Sequence, residues 1–322
     1  MVHSLNQKRW LNLELRLYKT LKDRGLQGSR ILIGVSGGAD SVALAWALKA
    51  VSSALRLKLA LAHIHHGPTS SQKQKSFRQS SRKFCEDLAH KLELPFLISE
   101  HRGPLLKGEA ALRVVRYEHL ESLRRQQNWD YIATAHHAED LLETRLIRLI
   151  RGVGAGGLQS LSLVSAKKLR PFLKVQKTEL LGYLQELQVS YMDDPSNEIM
   201  EPLRNWIRKE WLPLLEQKRP GALASLSRSL ELVTRRAKKD LKPLEVLVTS
   251  EGLDRSQLLS LASSEQRQVL ALFLRQKGVQ SYTSTQIDEV LKRLRAPRRD
   301  FHFHVVKCHW QITSKYIQIL PS

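Results

Sequence analysis

Leu5, Leu13, Leu17 and Leu21 recur at helical spacing, which predicts an amphipathic helix over 4–24. Arg30 to Val35 (RILIGV) is a short β-branched run that ends at Ser36-Gly37-Gly38, the pattern of a strand feeding a glycine turn. A strongly helical stretch follows at 41–52, and the alternation then repeats. Strands are predicted at 57–64, 95–98 and 130–135. Helices are predicted at 75–93, 109–127 and 138–150, with a polar loop at 65–74. Apolar strands alternating with helices give an α/β fold, a Rossmann-like parallel sheet with helices on both faces. Ligands in such sheets bind at the carboxyl ends of the strands.

Beyond 150 the pattern changes. A Gly-rich stretch at 152–157 precedes a helix at 176–188, and Asp194-Pro195-Ser196-Asn197 reads as a turn. A basic helix is predicted over 202–215. Lys218-Arg219-Pro220-Gly221 is a linker signal, followed by a leucine-spaced helix to about 240. Residues 218–239 hold seven Lys or Arg against one Glu. Helices at 254–262, 264–277 and 283–295 then lead to a β-rich end at 301–320. The expected layout is a first domain at 1–217, a basic linker helix at 218–240 and a small α+β C-terminal domain at 241–322.

Composition adds one strong fact to this picture. Of 322 residues, 52 are Lys or Arg and 31 Asp or Glu, a net charge of +21. Such a field attracts polyanions, so nucleic acid or an anionic membrane surface is the expected partner. No apolar run approaches the ~20 residues that span a bilayer, and Met1 to Trp10 is polar, without the apolar stretch of a signal peptide. The only cysteines, Cys85 and Cys308, are far apart, which excludes an intrachain disulfide framework and a thiolate zinc site. A cytoplasmic location, with no membrane partner, is the expectation.

The central motif is Ser36-Gly37-Gly38-Ala39-Asp40-Ser41, between a buried strand and a helix. Glycines let the backbone approach phosphate oxygens, helix N-terminal N–H groups attract anions, and two hydroxyls add donors. Asp40, an odd neighbour for phosphates, makes sense as a holder of a bridging Mg²⁺. No Gly-Lys-Ser/Thr ending follows, so the loop is not a Walker A loop. Gly152, Gly154 and Gly157 satisfy the dinucleotide spacing, but a helix precedes them instead of a strand, and a helix C-terminal glycine cluster is the better reading.

Four further segments carry candidate chemistry. In Thr134-Ala135-His136-His137-Ala138-Glu139-Asp140, directly after a strand, His136 and Asp140 share one face of the first helical turn. That pair could bind a metal, orient an amine or take its proton; zinc would need further ligands that are not evident. Glu109, Arg113, Arg116 and Tyr117 line one face of another helix. Arg113 suits a phosphate or oxyanion, and equally a surface Glu–Arg pair. His63, His65 and His66 follow a strand end. Finally, Arg204, Asn205 and Arg208 share a helix with Trp206 and Trp211, which could stack on bases or simply anchor the helix.

Together these segments resemble the tRNA(Ile)-lysidine synthetase family, within the wider PP-loop ATP pyrophosphatases. The match runs through 36–41, 63–67, Glu109 to Tyr117, Thr134 to Thr144, Arg151 to Leu158, Arg170-Pro171, Asp194 to Asn197 and Arg204 to Arg208. It departs at Pro68-Thr69, where many members have Leu-Arg, and at Leu112, where alanine is usual. The resemblance implies that 1–217 is a PP-loop catalytic domain and 241–322 a tRNA-binding domain. It implies ligation of L-lysine to C2 of the wobble cytidine of tRNA(Ile) with a CAU anticodon, through an adenylated cytidine, with ATP and Mg²⁺. ATP is then assigned to Ser36, Gly37, Gly38, Ala39, Asp40, Ser41 and His63, with Asp40 the metal ligand. Catalysis falls to Asp40, Arg113, His136 and Asp140. Substrate contacts fall to Glu109, Arg113, Arg116, Asp140, Glu143, Arg204, Asn205 and Arg208. A PP-loop base thiolase and a non-catalytic tRNA-binding protein are the alternative readings, and homodimerisation is left open.

Overall fold

The computed structural model describes residues 11–106, 108–152, 158, 161–193, 202–241, 247–249, 251–279, 282–296, 300–306 and 308–320. The side chains of Glu109, Ala110, Pro202 and residues 238–241 lie outside that description. Two compact units emerge: Met1–Leu141 with Leu161–Glu210, and Leu142–Ser160 with Trp211–Ser322.

The first unit is built on a six-stranded sheet of order β3-β2-β1-β4-β6-β5. Its strands are β1 (Arg30–Gly34), β2 (Lys58–His65), β3 (Phe96–Glu100), β4 (Tyr131–Ala133), β5 (Val164–Ser165) and β6 (Lys168–Leu169). All pairs are parallel except β5 with β6, a short hairpin that the hydrophobic pattern did not predict. β1 registers Ile31 against Leu59 on one side and against Tyr131 on the other.

Alternation along β1 divides the interior. Ile31 and Ile33 pack with helices α1 (Asn12–Asp23), α2 (Ala39–Leu55), α3 (Gln72–Lys91) and α6 (Lys177–Glu186), whereas Leu32 packs with α4 (Gly108–Gln126) through Leu120 and Leu123. A strand buried on both sides needs apolar residues at every position, which is why RILIGV reads as a continuous run. α2 is buried on most sides as well, from Val42 to Val51, so it shows no polar stripe of its own. The predicted doubly covered sheet is therefore present.

The predicted helix over 202–215 is not one regular helix. It is α7 (Pro202–Trp206), a π-helical stretch (Ile207–Trp211) and α8 (Leu212–Lys218). Pro213 has no N–H for the carbonyl of Lys209, four residues earlier, and its ring crowds that carbonyl. Wider turns just ahead of the proline relieve the conflict.

The second unit contains α9 (Ala222–Leu241), α10 (Arg255–Ser260), α11 (Ser263–Gln276) and α12 (Ser284–Leu294). Its antiparallel sheet has the order β7-β10-β9-β8, formed by β7 (Leu253–Asp254), β8 (Phe301–Val305), β9 (Cys308–Ile312) and β10 (Tyr316–Leu320). Trp310 is the centre of its core. It is fully buried, stacks on Phe303 with centroids 5.8 Å apart, and donates from Nε1 to the Val305 carbonyl at 2.9 Å. Trp310→Ala is expected to cost roughly 3–5 kcal/mol, the usual loss for truncating a buried aromatic. Urea denaturation would read this as an earlier unfolding transition for this unit, and an unchanged midpoint would refute it. Among the described residues, no helix is long and apolar enough to cross a membrane.

Candidate active site at the carboxyl edge of the sheet

Strand order reverses direction between β1 and β4, so their carboxyl ends open onto one crevice. The two strongest motifs of the sequence leave the sheet there.

On the β1 side, Val35 still donates to Ala62 at 2.9 Å, and the chain then turns through Ser36–Gly38 into α2. Gly37 has φ +85°, and a Cβ on it would lie 3.4 Å from Met192 Sδ and from a Phe84 ring carbon. Both the backbone angle and the space therefore favour glycine. The loop carbonyls are all engaged. Ser81 Oγ donates to Ser36 O (2.8 Å), Met192 N to Gly37 O (2.9 Å) and Ser41 Oγ to Gly38 O (2.9 Å). Ser36 N in turn donates to Ser41 Oγ at 3.2 Å. With the carbonyls occupied, the first-turn N–H groups of α2 present the positive end of the helix to the crevice, the arrangement that receives phosphate oxygens. The Ser41 hydroxyl hydrogen is spent on this bracing.

Asp40, in the first turn of α2, has one oxygen, Oδ1, that is buried and has no hydrogen-bond partner among the described residues. Its other oxygen lies 3.6 Å from His137 Nε2. One carboxylate oxygen held ready, beside N–H groups suited to phosphates, fits a Mg²⁺ bound through few protein ligands and its phosphates.

On the β4 side, Thr134 N donates to Leu169 O at 2.9 Å and ends the strand. His136 sits between Arg113, whose Nη2 donates to Nε2 at 3.3 Å, and Thr134 Oγ1, 2.9 Å from Nδ1. The guanidinium has no lone pair to offer, so the hydrogen of the neutral ring is assigned to Nδ1. Burial pushes the His136 pKa down to about 3; Arg113, Arg170 and Arg116 act in the same direction against Asp140. The ring is neutral, and it is a weak base at neutral pH. With both ring nitrogens engaged by Arg113 and Thr134, it is not placed as a zinc ligand. Among the described residues, no group of three or more His, Cys, Asp or Glu side chains is arranged to hold a metal ion.

Asp140 Oδ2 accepts from His137 N at 3.0 Å, closing the first turn of α5 (Ala138–Ile150), and Oδ1 accepts from Arg208 Nη2 at 2.9 Å. Burial works against its charge, but His137, His136, the His137 N–H and Arg208 together hold its pKa below the ordinary carboxylate value. The predicted residue sets from two distant segments, 134–144 and 204–208, thus meet at one carboxylate.

The residue that sequence reasoning passed over is His137, 4% exposed. Its Nδ1 lies 2.9 Å from Glu139 Oε2, and its Nε2 lies 3.6 Å from Asp40 Oδ2 and 3.5 Å from Asp140 Oδ2. Burial disfavours charge on the ring, yet these carboxylates hold its pKa up to about 10, so it is an imidazolium. The signal was available: a second histidine among three acids at 139, 140 and 143.

The other predicted residues fall as follows. His63 is buried at the end of β2, with Nδ1 3.1 Å from Val35 O; burial lowers its pKa to about 4. Arg116 is near enough to depress the pKa values of His63, His66 and His136, so it shares their neighbourhood. The Arg113 guanidinium also lies over the Tyr117 ring, 5.2 Å from its centroid. Asn205 Oδ1 is buried without a partner among the described residues, Arg204 is half-buried and Glu143 is buried within α5. The Glu109 side chain, Gly154, Gly157 and Asp194 to Asn197 lie outside the described residues.

Residues 11–215 match the PP-loop domain family, and residues 253–316 match the TilS substrate binding domain. The chain is 37% identical over 312 residues to a tRNA(Ile)-lysidine synthase of Bdellovibrio bacteriovorus, covering 96% of this chain and 97% of that one. It is 32% identical to the Synechococcus enzyme of the same name, over 90% of each chain. Among solved structures, the U34-tRNA thiolase NcsA of Methanococcus maripaludis aligns with a TM-score of 0.57 at 18% identity, over 69% of this chain and 78% of that one, a likeness of fold. By its PP-loop domain and these near full-length relatives, the chain belongs to the tRNA(Ile)-lysidine synthase family.

Proposed function

We propose that this protein ligates L-lysine to C2 of the wobble cytidine in the CAU anticodon of tRNA(Ile), consuming ATP and releasing AMP and pyrophosphate. One observation carries the reading. Asp40 of the phosphate-type loop and Asp140 lie 3.6 and 3.5 Å from one ring nitrogen of His137, beyond the carboxyl ends of β1 and β4.

ATP lies with its phosphates on Ser36–Ser41. The cytidine O2 attacks the α-phosphorus, the bond to pyrophosphate breaks, and the base becomes O2-adenylated. The lysine ε-nitrogen then attacks C2, the C2–O2 bond breaks, and AMP leaves with that oxygen. Mg²⁺, when bound at Asp40, supplies charge neutralisation for the phosphates. Arg113 is the cation we assign to the charge developing on the α-phosphate, and its contact with neutral His136 fixes its direction. Lysine arrives as an ammonium, and Asp140 is the carboxylate assigned to hold it. The proton shed before attack goes to solvent, because a carboxylate held below its ordinary pKa is a poor base. His136, with a pKa near 3, serves Arg113 instead of acting as the base. Arg208 already pairs with Asp140, so an incoming ammonium competes with that guanidinium.

The target base has to leave its stack to reach such a crevice. The net charge of +21 and the basic stretch at 218–239 support tRNA as the partner. The thiolase alternative is disfavoured by the cysteines: both are buried, and burial pushes the Cys85 thiol up to about 12, far from a reactive thiolate.

The test is incorporation of labelled lysine into a CAU-anticodon isoleucine tRNA transcript with ATP and Mg²⁺, beside a transcript carrying uridine at the wobble position. ATP-dependent label in the first alone is the expected result. Pyrophosphate release without lysine incorporation would replace lysine by another nucleophile.

A further inference from the structure

We infer that His137 is a positioning residue that ties the phosphate side of the site to the amine side, by holding Asp40 and Asp140 on one ring edge. The inference rests on the function proposed above and concerns a residue to which that mechanism gives no chemical step.

The geometry carries it. Nδ1 and Nε2 both face carboxylate oxygens, Nδ1 at hydrogen-bond distance and Nε2 at ion-pair distance. Nδ1 is anchored on Glu139 at 2.9 Å. Glu139 is itself fixed from outside its own helix, because Lys177 N donates to both its oxygens at 3.1 and 3.2 Å. The ring is therefore clamped from behind by α6. Its free edge, Nε2, lies between Asp40 Oδ2 and Asp140 Oδ2 at nearly equal distances of 3.6 and 3.5 Å. Carboxylates drawn toward one place repel each other, and a shared ion-pair partner offsets that repulsion. The two carboxylates thus have one ring nitrogen as a common neighbour, while Asp40 Oδ1 has no hydrogen-bond partner among the described residues. Asp140 is held a second time by the His137 backbone N–H at 3.0 Å, so the same residue fixes both its position and its direction.

Two amide substitutions separate the two edges of the ring. Asparagine places its Nδ2 near the position of Nδ1 and can still meet Glu139, but it has nothing where Nε2 was. Glutamine places its Nε2 near that position and can still bridge Asp40 and Asp140. Two quantities are measured with each: the KM for lysine in tRNA modification, and the Mg²⁺-ATP concentration that gives half the ligand-induced rise in melting temperature. His137→Asn is expected to raise both by about 10- to 100-fold, the usual effect of removing a residue that orients a ligating group. His137→Gln is expected to keep both within about threefold of the unmutated protein, since its donor survives. Equal losses in the two variants, or no change in His137→Asn, would overturn the inference. If His137→Asn does not fold, His137→Gln still decides, because a tenfold or larger rise in its lysine KM contradicts a bridging role. Failure of the underlying function is seen separately, as no lysine incorporation by the unmutated protein.

Discussion

Asp40→Asn is expected to lower tRNA-dependent pyrophosphate release by on the order of 10³-fold, measured with lysine omitted, while leaving the melting temperature close to that of the unmutated protein. The loss follows from chemistry. A cation bridging the phosphates contributes several kcal/mol of charge stabilisation, and each ~1.4 kcal/mol is a factor of ten in rate. The neutral amide can no longer counter that cation's charge. The intact fold follows from the contacts. Among the described residues, Asp40 Oδ1 has no hydrogen-bond partner to lose and Oδ2 lies 3.6 Å from the His137 ring, and asparagine has the same shape. The loop itself is braced by Ser41, Ser81 and the Met192 N–H, none of which bonds the Asp40 side chain. A variant that releases pyrophosphate within tenfold of the unmutated rate would place the phosphate-side cation elsewhere.

Asp140→Asn is expected to separate the two halves of the reaction. Pyrophosphate release should stay within about threefold of the unmutated protein, because an interaction made only with the second substrate leaves the first step untouched. Lysine transfer should fall by roughly 30- to 1,000-fold, the range for breaking a buried, hydrogen-bonded charge pair at about 2–4 kcal/mol. The side-chain oxygen that closes the first turn of α5 survives, since an asparagine carbonyl still accepts from His137 N. The charge that is removed faces Arg208, the His137 ring and, in the proposal, the lysine ammonium. Single-turnover measurement of adenylated tRNA and of lysidine on the same sample distinguishes the steps. If Asp40→Asn and Asp140→Asn lose pyrophosphate release equally, the division of roles between the two carboxylates is wrong.

Much of this was legible in the residues. The run RILIGV ahead of Ser36-Gly37-Gly38, followed by the apolar α2, determined a buried strand, a glycine turn and a helix, because burial on both faces and a positive φ leave few other compositions. The four-residue spacing of His136 and Asp140 predicted one face of a first helical turn; Asp140 is in the first turn of α5, but His136 lies two residues before that helix begins at Ala138. The β-rich end and three preceding helices of the C-terminal unit were likewise set by short-range pattern.

What the sequence could not decide is which loops share a crevice and which groups pair there. That depends on strand order, a property of non-local pairing: β1 lies between β2 and β4, so segments a hundred residues apart converge. The partner of Asp140 depended on it too. Arg208 reaches that carboxylate from a π-helical stretch ahead of Pro213, where a regular 3.6-residue period no longer places side chains. The protonation states had the same origin. His136 and His137 are neighbours of one residue type, yet burial among arginines makes the first neutral, whereas burial among carboxylates keeps the second charged. Local pattern fixed the elements because propensity and burial act over a few residues. Only the tertiary structure assigned roles within the site, because electrostatic environment is set by whatever chain happens to be near in space.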